Sequence, residues 1–151
     1  MKIISPVAGN IIDLKELKDG VFSEKIMGDG VAIVPLLENN LEVVAPISGT
    51  LETVFYTGHA FGIKDDNGNS ILIHVGIDTV NLKGEGFKVL VKQGEKIKAG
   101  DKLCFVDFKD IKDKVPSIAV IVINMLDSNS TISKTYTGSI QIGEPIFELS
   151  H

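Results

Sequence analysis

Turn chemistry interrupts this chain about every ten residues, at Gly9-Asn10, Asp19-Gly20, Gly28-Asp29-Gly30, Asn39-Asn40, Ser48-Gly49, Asn67-Gly68, Gly84-Glu85-Gly86, Gln93-Gly94, Gly100-Asp101 and Thr137-Gly138. The apolar runs left between these points are too short for ordinary helices, and a cadence of this kind predicts an antiparallel β-sandwich or barrel. Side-chain chemistry agrees. Ile and Val number 35 against 18 for Leu and Ala together, and branching at Cβ favours the pleated strand. Only Phe108, Ile111 and Val115 form a helix-like stripe, in a Lys- and Asp-rich stretch ended by Pro116, so one short helix is expected there.

An internal repeat refines the architecture. Ser5-Pro-Val-Ala-Gly-Asn-Ile11 and Ala45-Pro-Ile-Ser-Gly-Thr-Leu51 share the order small, Pro, aliphatic, small, Gly, any, aliphatic, 40 residues apart, and Thr137-Gly138-Ser139-Ile140 echoes its end. Val91 to Leu103 carries the Val-x-x-Gly-x-x-Ile-x-x-Gly-x-x-Leu spacing of two-sheet barrel-sandwich modules. The expected fold is therefore all-β, two related half-sandwiches wrapped on each other with at most short helices. At 151 residues a single domain spanning 1–151 is expected.

Charge and composition remove several function classes. The formal net charge is −5 and all 15 basic side chains are Lys, so the guanidinium forks that read phosphate and guanine are missing and nucleic-acid binding is disfavoured. The longest uncharged apolar run, Ile118 to Met125, includes Asn124 and falls far short of the ~20 residues needed to cross a bilayer. Met1-Lys-Ile-Ile4 runs into Ser5-Pro6 without the features of a secretory signal. The single cysteine, Cys104 in Leu-Cys-Phe-Val, reads as a small buried hydrophobe, and a cytoplasmic location is expected.

Chemistry concentrates around two histidines. Thr57-Gly-His-Ala-Phe-Gly-Ile63 and Ser70-Ile-Leu-Ile-His-Val75 flank Lys64-Asp-Asp-Asn-Gly-Asn69, a strong hairpin signal. A four-residue loop, Asp65 to Gly68, sets His59 directly opposite His74, and a two-residue Asn67-Gly68 turn makes them diagonal neighbours. In both registers the imidazoles share a face, and only an odd slip of one residue separates them. Strand alternation adds Phe55, Thr57 and Phe61 to the face of His59, and Leu72 to that of His74. Paired imidazoles suit transient phosphorylation on nitrogen, general acid/base work or metal ligation. The chain has no Cys pair or His-x-His for a resident metal, no Gly-x-Ser-x-Gly elbow and no nucleotide-binding loop. An imidazole that takes a phosphoryl group from another protein needs none of these. A phosphocarrier or a binding module remains.

The residues His59-Ala-Phe61, His74-Val-Gly-Ile-Asp-Thr-Val80 and Leu82-Lys-Gly-Glu-Gly-Phe87 resemble the signature of the glucose-type IIA component of the bacterial phosphoenolpyruvate-dependent sugar phosphotransferase system. The similarity runs from Ile4-Ser-Pro-Val-Ala-Gly9 through Val21-Phe-Ser-Glu-Lys25, Gly28-Asp-Gly30 and Ala45-Pro46 to Gly143-Glu-Pro145. The resemblance implies that His74 receives the phosphoryl group from the phosphohistidine of HPr and passes it to a cysteine of a membrane transporter's IIB domain, driving sugar uptake and phosphorylation. His59 would be the supporting imidazole, hydrogen-bonded by Thr57. Asp19 and Asp78 resemble the acidic residues that flank the family's site, and Val21, Phe22, Ile26, Met27, Phe55, Phe61, Leu72 and Val80 its apolar, partner-binding rim.

No cofactor is required on this reading, and Zn at His59 and His74 would be adventitious or partner-assisted. The expected partners are HPr and the IIB domain, with no nucleic acid, no direct membrane insertion and a monomeric state. Departures from the family pattern include Gly58, where many relatives have Asn, together with Gly20 and Leu72. Two competing readings are weaker. A lysostaphin-type zinc endopeptidase needs more ligands than His59, His74 and one carboxylate, and a lipoyl or biotinyl carrier needs a lysine in a tight Met-Lys-Met or Asp-Lys-Ala turn.

Overall fold

The computed structural model describes residues 1–17, 19–20, 23–36, 40–77, 82–107 and 117–151. Fourteen strands occur among them: β1 (Lys2–Ile4), β2 (Gly9–Asp13), β3 (Gly28–Pro35), β4 (Asn40–Val44), β5 (Gly49–Val54), β6 (Ala60–Lys64), β7 (Ser70–Ile77), β8 (Phe87–Val89), β9 (Lys96–Ile97), β10 (Lys102–Asp107), β11 (Ser117–Met125), β12 (Thr131–Thr135), β13 (Gly138–Ile140) and β14 (Pro145–Ser150). One 3-10 turn, Leu14–Leu17, follows β2. The helix expected over Phe108 to Val115 lies outside the described residues.

Every pairing is antiparallel. The central sheet has the order β13-β2-β3-β11-β7-β6-β5-β9, and two three-stranded sheets, β1-β14-β12 and β4-β10-β8, accompany it. The all-β expectation holds.

The repeat seen in sequence is a pseudo-two-fold in space. The amide of Ile4 donates to Pro46 O at 3.1 Å and that of Val44 donates to Pro6 O at 3.0 Å, the same bond written once in each half. Ser5 N to Glu144 O matches Ala45 N to Asp101 O, and Gly143 N to Ser5 O matches Gly100 N to Ala45 O. Strand registers repeat too. Gly9↔Ile140 and Asn10↔Ser139 in one half correspond to Gly49↔Ile97 and Thr50↔Lys96 in the other. The halves meet at β7 and β11, where Ile73 pairs with Val122 and the pairs Ile71↔Asn124 and Val75↔Val120 lie symmetrically to either side.

Alternation along these strands divides the apolar side chains between two cores. Phe61, Ile63, Ile71, Ile73, Val75, Val120 and Val122 enter the main core between the sheets. Ala60, Leu72, Ala119, Ile121 and Ile123 face outward into a smaller cluster covered by Leu14 of the 3-10 turn. Each fully buried aliphatic side chain of this kind contributes roughly 1.5–3 kcal/mol. Cys104 is fully buried in the main core, and desolvation pushes its thiol up to about 12, so it packs as a small hydrophobe.

Candidate active site

The β6–β7 hairpin has neither of the two registers expected. Lys64 pairs with Ser70 and Ala60 with His74, the odd slip that strict alternation says should part the histidines. The cause is the Asp65 side chain. Its Oδ1 accepts the amides of Asn67 at 3.0 Å and Asn69 at 2.8 Å, and its Oδ2 accepts Asn69 Nδ2 at 2.7 Å. With Gly68 at φ +85° the loop closes over five residues, Asp65 to Asn69, with Asp65 N donating to Asn69 O. A left-handed glycine of this kind adds one residue to a hairpin loop.

The slip turns Phe61 inward. It is 0% exposed, in the main core, so its expected place on the histidine face and on a partner-binding rim is corrected. Leu72 does share the outward face with His74, yet it is 6% exposed and belongs to the outer cluster, which leaves little of it for a partner to touch.

The histidines nevertheless meet, because His59 precedes β6 and does not follow strand alternation. Gly58 sits at φ +78° and its amide closes a turn onto Phe55 O at 2.7 Å, while Phe55 N donates to Ala60 O at 3.1 Å. The bend leaves His59 O to accept Val75 N at 2.7 Å. The His59 and His74 ring centroids are 5.2 Å apart with planes at 74°. Phe55 also makes a T-shaped contact with His59, centroids 5.0 Å apart at 87°.

Each imidazole has a fixed partner at Nδ1. His74 Nδ1 lies 2.7 Å from Gly76 O. A carbonyl only accepts, so Nδ1 carries the proton, and in the neutral ring Nε2 is the unprotonated nitrogen. Gly76 makes this possible at φ +76°, inside a bulge where β11 loses register between Ser117 and Val120. Past the bulge, Ile77 joins Leu72 in the outer cluster. Sequence reasoning missed Gly76 as a functional position, although a glycine inside the run His74-Val-Gly-Ile77 is the usual mark of a bulge. His59 Nδ1 is hydrogen-bonded to Thr57 Oγ1, which is itself 3% exposed. Burial of His59 first, and the neighbouring His74 second, lower its pKa from 6.5 to about 4. It is therefore neutral near pH 7.

Of the remaining expected residues, Ile26, Met27 and Phe55 are 59%, 36% and 43% exposed. Asp19 is half-buried, and its carboxylate accepts the Ser23 amide at 2.8 Å. Val21, Phe22, Asp78 and Val80 lie outside the described residues. The structure adds two exposed apolar side chains that sequence reasoning left out. Tyr56 adjoins Phe55 in the chain, and Leu126 N donates to Met27 O. Among the described residues, no three His, Cys, Asp or Glu side chains are grouped to hold a metal ion. No helix among them is long and apolar enough to cross a membrane. In the other half of the pseudo-two-fold, Gly30 pairs with Ile123 as Ala60 pairs with His74, so the imidazole pair is built on one half alone.

A family model described as phosphoenolpyruvate-dependent sugar phosphotransferase system, EIIA 1, matches residues 1–130. The chain belongs to this EIIA family. The glucose-specific EIIA component of Mycoplasma capricolum is 42% identical over 146 residues, 97% of this chain and 93% of that relative. That of Oceanobacillus iheyensis is 41% identical over 143 residues, 94% of this chain and 85% of the relative. The solved glucose permease IIA from Mycoplasma capricolum superposes with a TM-score of 0.91 at 42% identity, covering 97% of this chain and 94% of that one. The family assignment and the all-β EIIA architecture thus agree with the resemblance carried by His59, His74 and the Leu82–Phe87 motif.

Proposed function

We propose that this EIIA protein is a phosphocarrier in which His74 takes a phosphoryl group from the phosphohistidine of HPr and passes it to a cysteine of the IIB domain of a glucose-type sugar transporter. One observation carries the reading: two imidazole rings 5.2 Å apart, one with Nδ1 bound to a carbonyl, which makes Nε2 the nucleophilic nitrogen of the neutral ring. In the first step the Nε2 lone pair bonds to phosphorus, the P–N bond of the donor breaks, and its electron pair returns to the donor imidazole. In the second, the cysteine sulfur bonds to phosphorus and the pair from the P–Nε2 bond returns to His74.

His59 serves the second step. Thr57 O–H donates to its Nδ1 and leaves Nε2–H as a donor toward the phosphoryl oxygens, a role open to it because burial keeps the ring neutral. A donor already aimed at developing charge stabilises a transition state without reorganisation. Ile26, Met27 and Phe55, all solvent-facing, form part of the shared docking surface for HPr and IIB.

No resident cofactor is needed. A Zn ion held by His59 and His74 would find no third protein ligand among the described residues, and a zinc site requires one, so a partner would have to supply it. The proposed role places the protein in the cytoplasm, as a monomer. Incubation with phosphoenolpyruvate, enzyme I and HPr tests the reading: an acid-labile phosphate should appear on this chain, and its absence removes the proposal.

A further inference from the structure

The segment Leu82-Lys-Gly-Glu-Gly-Phe87 carries part of the family resemblance but has no part in the chemistry above. Its backbone is unusual. Lys83, Gly84 and Gly86 all lie in the left-handed region, at φ 54°, 90° and 83°, a conformation uncommon for a non-glycine residue such as Lys83. Two turn bonds hold it, Glu85 N to Leu82 O at 3.0 Å and Phe87 N to Gly84 O at 3.1 Å, and Asp107 N donates to Gly86 O at 2.8 Å. What this conformation brings about is contact with the turn that carries His59. A Cβ placed on Gly84 would stand 3.7 Å from both Thr57 Cα and Thr57 O. One placed on Gly58 would stand 2.7 Å from Val89 Cγ2 and 3.1 Å from Phe87 Cβ. Leu82, Phe87 and Val89 in turn pack on the main core, and Val106 and Cys104 of β10 pair with Phe87 and Val89.

We propose that the Leu82–Phe87 loop and the first residues of β8 are the positioning element of His59, clamping the Thr57-Gly58 turn against the core so that Thr57 meets His59 Nδ1 and the ring faces His74. The loop touches neither the phosphoryl group nor His74 in this account. It acts through the backbone of Thr57 and Gly58, where close approach leaves no room for a side chain. Strained backbone that persists beside a reactive group is held there by its surroundings, and what it supplies is geometry. The consequence for transfer rests on the phosphocarrier reading, while the clamp itself does not.

The test is a double-variant cycle of Gly58→Ala and Val89→Ala, read by 15N NMR of the His59 and His74 imidazoles in the unphosphorylated protein and by phosphoryl delivery to IIB. Gly58→Ala should move the His59 nitrogen shifts away from their parental values, leave those of His74 in place and slow delivery about 10-fold or more, since small misplacements of a positioned group are costly. In the Val89→Ala background, which removes the Cγ2 contact, the same substitution should move the His59 shifts and the rate less. Should Gly58→Ala not fold, Gly84→Ala serves instead: its methyl fits beside Thr57, but φ +90° at Gly84 strains an L-residue, so the loop shifts and His59 should be disturbed through Thr57. Parental His59 shifts in a folded Gly58→Ala or Gly84→Ala protein overturn the clamp, as does an effect of Gly58→Ala that is the same with and without Val89. If the parent protein takes no label from HPr, the phosphocarrier reading falls, and the NMR cycle still decides the clamp.

Discussion

The carbonyl oxygen of Gly76 lies 2.7 Å from His74 Nδ1, two residues away on the same strand. That bond is possible only because Gly76 adopts φ +76° within β7, a conformation that costs an L-residue roughly 1–2 kcal/mol. Gly76→Ala should therefore lower the melting temperature by a few degrees and slow acceptance from phospho-HPr more than its stability loss explains. Comparing 15N shifts of His74 in the two proteins checks the cause, since the variant should show a mixture of tautomers in place of a single Nδ1–H form.

His59→Gln should accept label from phospho-HPr and then stall in passing it on. Loss of one positioned donor commonly costs ~10²–10³ in rate, and the imidazole that receives the group is untouched. Chasing labelled protein with purified IIB domain measures this. Equal delivery by variant and parent would take His59 out of the mechanism.

Phe55 and Phe61 should behave oppositely. Phe61 is fully buried in the main core, and Phe61→Ser should cost about 3–5 kcal/mol of stability, the range for emptying an aromatic core site. Phe55 is 43% exposed and makes a T-shaped contact with His59. Phe55→Ser should slow transfer from HPr while the thermal unfolding midpoint stays within a few degrees of the parent. Melting curves and transfer rates on the two variants separate these outcomes.

The lowered pKa of His59 has a consequence for stability. Its folded value is about 4 against 6.5 for the free side chain, so between those values the unfolded chain binds the proton more readily, and stability rises with pH across that window. The contribution is present above about 6.5, is lost progressively as pH falls, and is gone near 4. Denaturant unfolding of the parent and His59→Gln proteins at pH 7 and pH 5 should show a larger drop for the parent. Parallel drops would mean that His59 is not the group responsible.

Fold and chemistry were legible in the chain to different degrees. The repeat of Pro6 and Pro46 is written in residues whose backbone bonds reproduce each other in space, Ile4 N to Pro46 O and Val44 N to Pro6 O, so the duplicated architecture could be read directly. The histidine pair was also legible, but for the wrong local reason. Alternation through a regular hairpin predicts the pairing, whereas Asp65 captures three donors, lengthens the loop by one residue and reverses the parity of Phe61. A side chain that rewires a turn leaves little trace in apolar periodicity. His59 escapes the reversal because Gly58 takes a left-handed conformation just before it. The clamp beneath Gly58 was invisible for a different reason: Phe87 and Val89 reach it through long-range packing that no local pattern encodes.

The central claim is that His74 Nε2 carries the phosphoryl group. The most direct measurement is 31P and 15N NMR of the protein after incubation with phosphoenolpyruvate, enzyme I and HPr, run beside the His74→Ala variant. The account predicts one phosphohistidine whose phosphorus couples to Nε2 of His74, with no phosphorylation of a folded His74→Ala protein. Label retained by that variant, or phosphorus coupled to His59 or to Nδ1 of His74, would contradict it.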